Sequence, residues 1–335
     1  MIALVTGSSG FVGSHLVEAL AGAGWEVRRL VRPDSRGVGP ELPAALARRV
    51  STHTGDFADP AALARVAALD GVDVAFHVAG VTRRRTLAEF RRGNVAPTAA
   101  LLDTLAGQRR PPGRVVLVSS QAAAGAAVGP NRLRTEADAP EPVGAYGHSK
   151  REAERLVATH PGGLAWTVVR PSAVYGPRDV DFLPVFRSAA WGVALYPGAR
   201  DAELSLVYVG DLARALVLAA TAPTAAGRSY FVAGDERATW PAVYAAAAAA
   251  AGRRVRWAVA APGWALGAAG LAGDAYALVT GRHPLVGREK TRLARPRWWC
   301  CSAARARVEL GWRAEVGLAE GARRAYAWYR AQGLV

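Results

Sequence analysis

An α/β architecture, a doubly wound parallel sheet with a smaller, mostly helical carboxy-terminal lobe, is what this 335-residue sequence predicts. Three observations carry that prediction. Short apolar runs alternate with stretches of helical length through the first half of the chain. The runs are nearly continuous rather than alternating apolar with polar, as strands buried on both faces require. A glycine-rich turn directly follows the first run.

The elements follow in order. IALVT at 2–6 reads as the first strand, and 11–22 as the helix after it. Further strands are expected at 27–31 (VRRLV), 72–80 (VDVAFHVAG), 114–120 (RVVLVSS) and 165–171 (AWTVVRP), with helices at 60–69, 87–107 and 145–159 between them. Asp59-Pro60 starts one of these helices, an N-cap followed by Pro at the first helical position. SLVYVGDLARALVLAA (205–220) and SYFVAG (229–234) read as a strand, a helix and a strand returning to the sheet. The expected division is therefore a nucleotide-binding domain over 1–171 with 205–234 returning to it, and a substrate lobe over 172–204 and 235–335. Seven of the ten tryptophans lie beyond residue 235. YAAAAAAAG at 244–252 is a strong helix ended by Gly252.

Composition narrows the function. The net charge of +15 comes from arginines scattered singly or in pairs. The densest cluster, TRRRT at 82–86, has no interleaved aromatics, so no nucleic-acid partner is expected. Cys300 and Cys301 are adjacent and cannot staple distant segments, which fits a reducing compartment. The strand pattern from residue 2 leaves no room for a signal peptide, and a cytoplasmic location is expected. WAVAAPGWALGAAGLAG at 257–273 is the most membrane-like stretch, but Gly-rich and interrupted by Pro262. It is expected as a lid or core helix rather than an integral span, with peripheral membrane contact as the alternative. The six histidines show no metal-ligand spacing, so no metal is expected.

VTGSSGFVGSHLVEAL places Gly7, Gly10 and Gly13 three residues apart between a strand and a helix. Glycines there permit a tight turn and close approach of a pyrophosphate, and the helix N-terminus offers unpaired N–H groups to the phosphates. This is a Rossmann-type dinucleotide cradle, with Ser9, Phe11 and Val12 beside the glycines. An acid that would hold a ribose 2′-hydroxyl is expected near the end of the second strand, and Val31 stands there, followed by Arg32. A guanidinium suits a 2′-phosphate, so NADP is favoured, while Asp34 keeps NAD open. Asp56, with Phe57, would face the adenine.

Of 42 basic side chains only Lys150 and Lys290 are lysine. Lys150 lies four residues after Tyr146, on the same face of the helix at 145–159. Ser119 and Ser120 end a strand on the edge where such sheets bind ligands. With the glycine loop, these residues make the chain similar to the extended short-chain dehydrogenase/reductases of the NAD-dependent epimerase/dehydratase superfamily. The likeness extends through TEADAPEPVGAYGHSK, VVRPSAVYGP, SLVYVGDLA and the tail ARVELGWRAEVGLAEGARRAYAWYRAQG, nearly the whole chain. It is strongest toward the 3β-hydroxysteroid dehydrogenase and dihydroflavonol reductase branch.

The resemblance implies a general acid/base at Tyr146 and a lysine, Lys150, that holds the nicotinamide ribose and lowers the tyrosine pKa. It implies a substrate-oxygen donor at Ser120, with Ser119 as the other candidate. His77, Val78, Ala79 and Gly80 would line the cofactor, Pro171 and Val174 would border the nicotinamide, and Asn94 would be structural. Where the family carries a bulky aromatic after the serines this chain reads QAAAGAA, which makes Gln121 a substrate contact beside Thr82, Tyr175 and Phe182. A homodimer is implied by the resemblance alone. Free tyrosine has a pKa of about 10. An ammonium about 4 Å away, at an effective dielectric near 20, would favour the phenolate by up to about 4 kcal/mol.

The expected function is an NADP-dependent oxidoreductase interconverting a secondary alcohol and a ketone on a largely apolar small molecule. The alternatives are a nucleotide-sugar epimerase or dehydratase that retains NAD, and a non-catalytic NADP-binding sensor on the same fold. Lys290 is expected to tolerate arginine without effect.

Overall fold

The computed structural model describes residues 1–33, 42–57, 59–281 and 286–335. Asp34 and His283 fall outside the described residues. Strands β1 (Ile2–Thr6), β2 (Glu26–Val31), β3 (Val50–Thr54), β4 (Val74–His77), β5 (Arg114–Val118) and β6 (Trp166–Pro171) alternate with helices. The later strands are β7 (Ala173–Tyr175), β8 (Val193–Tyr196), β9 (Glu203–Tyr208), β10 (Arg228–Val232), β11 (Arg237–Thr239), β12 (Trp257–Ala260) and β13 (Trp298–Trp299). Seven strands form one sheet in the order β10-β6-β5-β4-β1-β2-β3, and every pairing in it is parallel.

Successive residues of each strand face opposite sides, and in all but the edge strand β3 both sides are buried. Ala3, Val5, Val27, Phe76, Val116 and Val169 pack with the helices Phe11–Gly22 and Val209–Thr221. Leu4, Leu30, Ala75, Leu117 and Val168 pack with the helices Ala96–Ala106 and Gly144–Thr159. This two-sided burial is why the strands read as unbroken apolar runs. The chain runs outward through β1, β2 and β3, then crosses back to β4. The strand order therefore reverses between β1 and β4, the place where such sheets open a crevice.

Asp59 caps its short helix as expected, its carboxylate accepting from Ala62 N at 2.9 Å, with Pro60 at the first position. Gly252 follows the alanine helix with φ +67°, the left-handed conformation that ends it. Three elements differ from expectation. β3 carries no apolar run because it is an edge strand with little burial. The strand over 203–208 does not return to the large sheet. The free edge of β6 is taken by β10, and β9 pairs instead with β7, β11 and β13 in a small second sheet. The stretch 257–273 is no core element: β12 pairs with β8, and the helix Gly263–Thr280 after it is largely exposed. Among the described residues no helix is long and apolar enough to cross a membrane.

Candidate active site

At the carboxyl ends of β1, β4, β5 and β6 lies an open cleft of about 1540 Å³. A single small-molecule site takes roughly 300–1,000 Å³, so this one has room for a dinucleotide and a second molecule. The glycine loop forms its floor. Gly7 has φ +68°, and a Cβ on it would stand 2.6 Å from Ala79 N; one on Gly13 would stand 2.1 Å from the Gly7 carbonyl. Only glycine lets β1, its loop and the end of β4 close up in this way. The helix Phe11–Gly22 opens toward the cleft without a side-chain cap. On the far wall, a Cβ on Gly80 would come within 3.0 Å of Asn94 Oδ1 and 3.1 Å of Lys150 Nζ. These cradles, which any side chain would fill, fit a nicotinamide dinucleotide.

The cleft is lined by Gly7, Ser9, Gly10, Phe11, Val12, Gly13, Arg32, Asp56, Phe57, Val78, Ala79, Gly80, Pro171 and Val174. Val31 lines it where the ribose-binding acid was sought, and the charge of Arg32 reaches Arg84, another lining residue. Burial, reinforced by Arg32, holds the Arg84 guanidinium below its ordinary pKa. His77 does not reach the cleft. Its imidazole is buried, with Nδ1 2.8 Å from Thr6 Oγ1 and Nε2 3.0 Å from Thr98 Oγ1. Burial, with the Lys150 charge adding to it, pushes its pKa down to about 3, so it stays neutral.

Ser120, Tyr146 and Lys150 all line the cleft. The Ser120 hydroxyl hydrogen-bonds the Tyr146 phenol and accepts from Ala122 N at 3.1 Å. Ser119 lines the cleft as well, but its hydroxyl donates to Glu154 Oε1 at 2.7 Å, inside a buried ion pair in which Arg170 Nε and Nη2 both reach Glu154 at 2.8 Å. Burial alone would raise Glu154, but Arg170, with Ser119 and Arg151, outweighs it and the carboxyl lies below its ordinary range. Lys150 is buried, its Nζ donating to the Val118 carbonyl at 3.0 Å. Burial pulls its pKa down to about 8. Tyr146 corrects the expected direction. Burial pushes its phenol up to about 12, with the Asp181 carboxylate adding to the rise and the Ser120 hydrogen bond opposing it.

Asn94 explains how this wall is held. It lies in a π-helical turn, Arg91–Val95, inside the long helix. Its Oδ1 accepts from Val81 N at 2.7 Å, while Nδ2 donates to Val81 O at 3.2 Å and to Ser149 Oγ at 2.9 Å. The loop after Gly80 is thereby tied to the helix that carries Tyr146 and Lys150.

Of the expected substrate contacts, Gln121, Thr82 and Phe182 line the cleft, and the buried Gln121 Nε2 has no hydrogen-bond partner among the described residues. Tyr175 does not line it. The alternation of β7 turns its ring into the core of the small sheet, and its hydroxyl donates to the Gly317 carbonyl at 3.2 Å. Several lining residues escaped the sequence reading. Ser172, next to Pro171, has a buried hydroxyl without a partner among the described residues. Asp181 accepts from Arg83 and, at 3.0 Å, from Lys290 Nζ, so three segments meet across the cleft mouth. Lys290 thus lies at the cleft mouth. Its rarity in so arginine-rich a chain was the available signal. Asp179, buried beside Asp181, is raised to about 7, chiefly by burial. Among the described residues no group of His, Cys, Asp and Glu could hold a metal ion.

Known proteins resemble the chain in sequence and in fold. The chain is 32% identical to a ceramide reductase of Caulobacter vibrioides over 99% of its own length and 95% of that protein. It is 32% identical to a 3β-hydroxysteroid dehydrogenase/Δ5→4-isomerase of Mycobacterium tuberculosis over 68% of this chain and 64% of that one. The fold matches a UDP-glucose 4-epimerase of Thermotoga maritima with a TM-score of 0.78 at 22% identity, covering 99% of both chains. A family model described as the NAD dependent epimerase/dehydratase family matches residues 3–233. An NAD-dependent epimerase/dehydratase family enzyme, with reductases and dehydrogenases among its relatives, is what this chain is.

Proposed function

We propose that the protein reduces a ketone to a secondary alcohol on a long-chain, largely apolar substrate, using NADPH. The observation that carries this reading is the hydrogen-bonded Ser120–Tyr146 pair, with buried Lys150 lining the same cleft above the glycine loop. When bound, the nicotinamide supplies the hydride. The Tyr146 phenol, with its pKa near 12, is fully protonated at neutral pH and delivers its proton to the substrate oxygen as the alcohol forms. Ser120 donates a hydrogen bond to that oxygen. Lys150 holds the ribose hydroxyls and, once Tyr146 has given up its proton, faces the phenolate with a compact positive charge. Arg32, with Arg84 nearby, favours a 2′-phosphate and so NADP over NAD.

The outer cleft supports the substrate class. Phe182, Val185, Leu195, Trp240, Tyr244, Val286, Leu293 and Trp299 line it, mostly aliphatic and aromatic surface. The name of the ceramide reductase, similar over nearly its whole length, points the same way. A second reading, a nucleotide-sugar epimerase, draws on the cationic side chains Arg83, Arg92 and Lys290, which also line the cleft. One experiment separates them. Protein purified without added cofactor is analysed for bound nucleotide, then supplied with NADPH and a panel of long-chain ketones or UDP-sugars. NADPH consumption with the ketones, by protein that carries no retained NAD, is expected. Retained NAD with sugar epimerisation and no ketone reduction would replace the reductase reading by the epimerase one.

A further inference from the structure

The helix Gly263–Thr280 is apolar almost all round, yet it buries only Gly270, Asp274 and Ala277. That narrow stripe packs against the segment leading into the helix Arg288–Leu293: a Cβ on Gly273 would stand 1.9 Å from the Val286 carbonyl. Asp274, the only ionisable acid or base on the helix apart from Tyr276, is engaged there, accepting from Arg288 Nε at 2.6 Å. Away from the stripe, Trp264, Leu271 and Leu278 stand seven residues apart on one face, 79%, 58% and 65% exposed. The preceding strand is exposed and apolar as well. Trp257 and Val259 of β12 pair in register with Val193 and Leu195 of β8 and share a face with them. Trp257 is 72% exposed, and Trp191, just before β8, 86%.

So large an exposed apolar surface calls for a partner, and its charges indicate which. Arg253, Arg254 and Arg256 are exposed immediately before Trp257, and across 240–281 Asp274 is the only carboxylate. Tryptophans with a cationic, carboxylate-poor rim suit an anionic bilayer, where indole rings sit among headgroups and arginines meet lipid phosphates. A second copy docking face to face would set these guanidiniums against one another. The surface also borders the cleft, since Leu195, paired with Val259, and Val286, packed against Gly273, both line the cleft.

We propose that the helix Gly263–Thr280, with β8 and β12, docks on an anionic lipid bilayer and sets the cleft mouth at the interface. A long-chain substrate then passes from lipid into the cleft without crossing water. The docking stands independently of the reductase reading; only the substrate route rests on it.

The test is flotation of the full chain with vesicles of phosphatidylcholine containing phosphatidylglycerol, against phosphatidylcholine alone. The chain should float with the anionic vesicles and less as salt rises. Replacing Trp264, Leu271 and Leu278 together by serine should lower partitioning on the order of 100-fold, and Arg253→Gln with Arg254→Gln about tenfold. None of these five lines the cleft. The serine variant should therefore reduce a short water-soluble ketone at the wild-type rate while losing activity on a vesicle-borne long-chain ketone. A chain that floats with neither vesicle, or floats equally well with the three serines, overturns the proposal. So does a wild-type dimer that the serines convert to monomer, because a second copy would then cover the face. A chain that binds anionic vesicles but reduces no ketone refutes the reductase reading and leaves the docking standing.

Discussion

Lys150 occupies a costly position for a charge. It is buried, and its pKa falls from an ordinary 10.5 to about 8. Between those two values the unfolded chain holds a proton that the folded chain has released, so stability should rise with pH across that window. Lys150→Met should accordingly abolish turnover yet raise the unfolding free energy at neutral pH, by up to about 3 kcal/mol, read by chemical denaturation. Lys150→Arg should lose most activity too, because the Gly80 backbone leaves no space beside Nζ for a guanidinium. Asp181 gives a test of opposite sign at Tyr146. Its carboxylate raises the phenol, so Asp181→Asn should shift the alkaline limb of alcohol oxidation to lower pH; an unmoved limb would remove Asp181 from the electrostatics of the site. The Tyr146 and Lys150 pairing was legible because four-residue spacing on a helix fixes a shared face. The choice between Ser119 and Ser120 was not. It depends on which hydroxyl Glu154 claims, and nothing local in the sequence announces that Glu154 and Arg170 pair.

The elements around the site are held by polar contacts that carry no apolar signature. Glu154 on the helix Gly144–Thr159 and Arg170 on β6 form a bidentate pair, and both are buried. Arg170→Met would leave the carboxylate buried with much of its charge unmatched, a loss of about 3 kcal/mol. Arg151, 3.0 Å from Glu154, would moderate it. Thermal unfolding of the variant, compared with an Arg170→Met, Glu154→Gln double variant that restores part of the loss, would measure the pair. Helices, buried strands and the glycine turn were readable because each has a period or a residue requirement. The π-turn at Asn94 was not, since the sequence shows one long helical pattern and the extra residue serves a hydrogen bond to Val81. Strand β9 was placed in the wrong sheet for a related reason: its apolar run records burial, but not which sheet buries it.

At the scale of the molecule, the large sheet supplies the cofactor wall and carboxy-terminal segments line the rest of the cleft. Cofactor choice belongs to this scale, because Arg32 at the end of β2 and Arg84 in the loop after β4 come from different crossovers and meet only in the fold. Arg32→Ala should weaken NADPH about tenfold or more while leaving NADH nearly unchanged, the scale of one charge-assisted hydrogen bond; equal losses for both cofactors, measured by fluorescence titration, would contradict the assignment. The Arg83–Asp181–Lys290 cluster spans the cleft mouth in the same way. No sequence pattern unites positions so far apart in the chain, so the rarity of Lys290 is visible in the sequence but its partners are not.

Ketone reduction as proposed requires the Tyr146 phenol to deliver the proton. Tyr146→Phe keeps the ring that packs against Phe90, with centroids 5.8 Å apart, and removes only the hydroxyl. NADPH-dependent reduction of a long-chain ketone should then fall to less than a few per cent of wild type, a loss of at least about 100-fold as removal of a general acid predicts. NADPH affinity, titrated on the same preparation, should stay close to wild type. A variant that retained more than a few per cent of the wild-type rate with unchanged NADPH affinity would contradict the account.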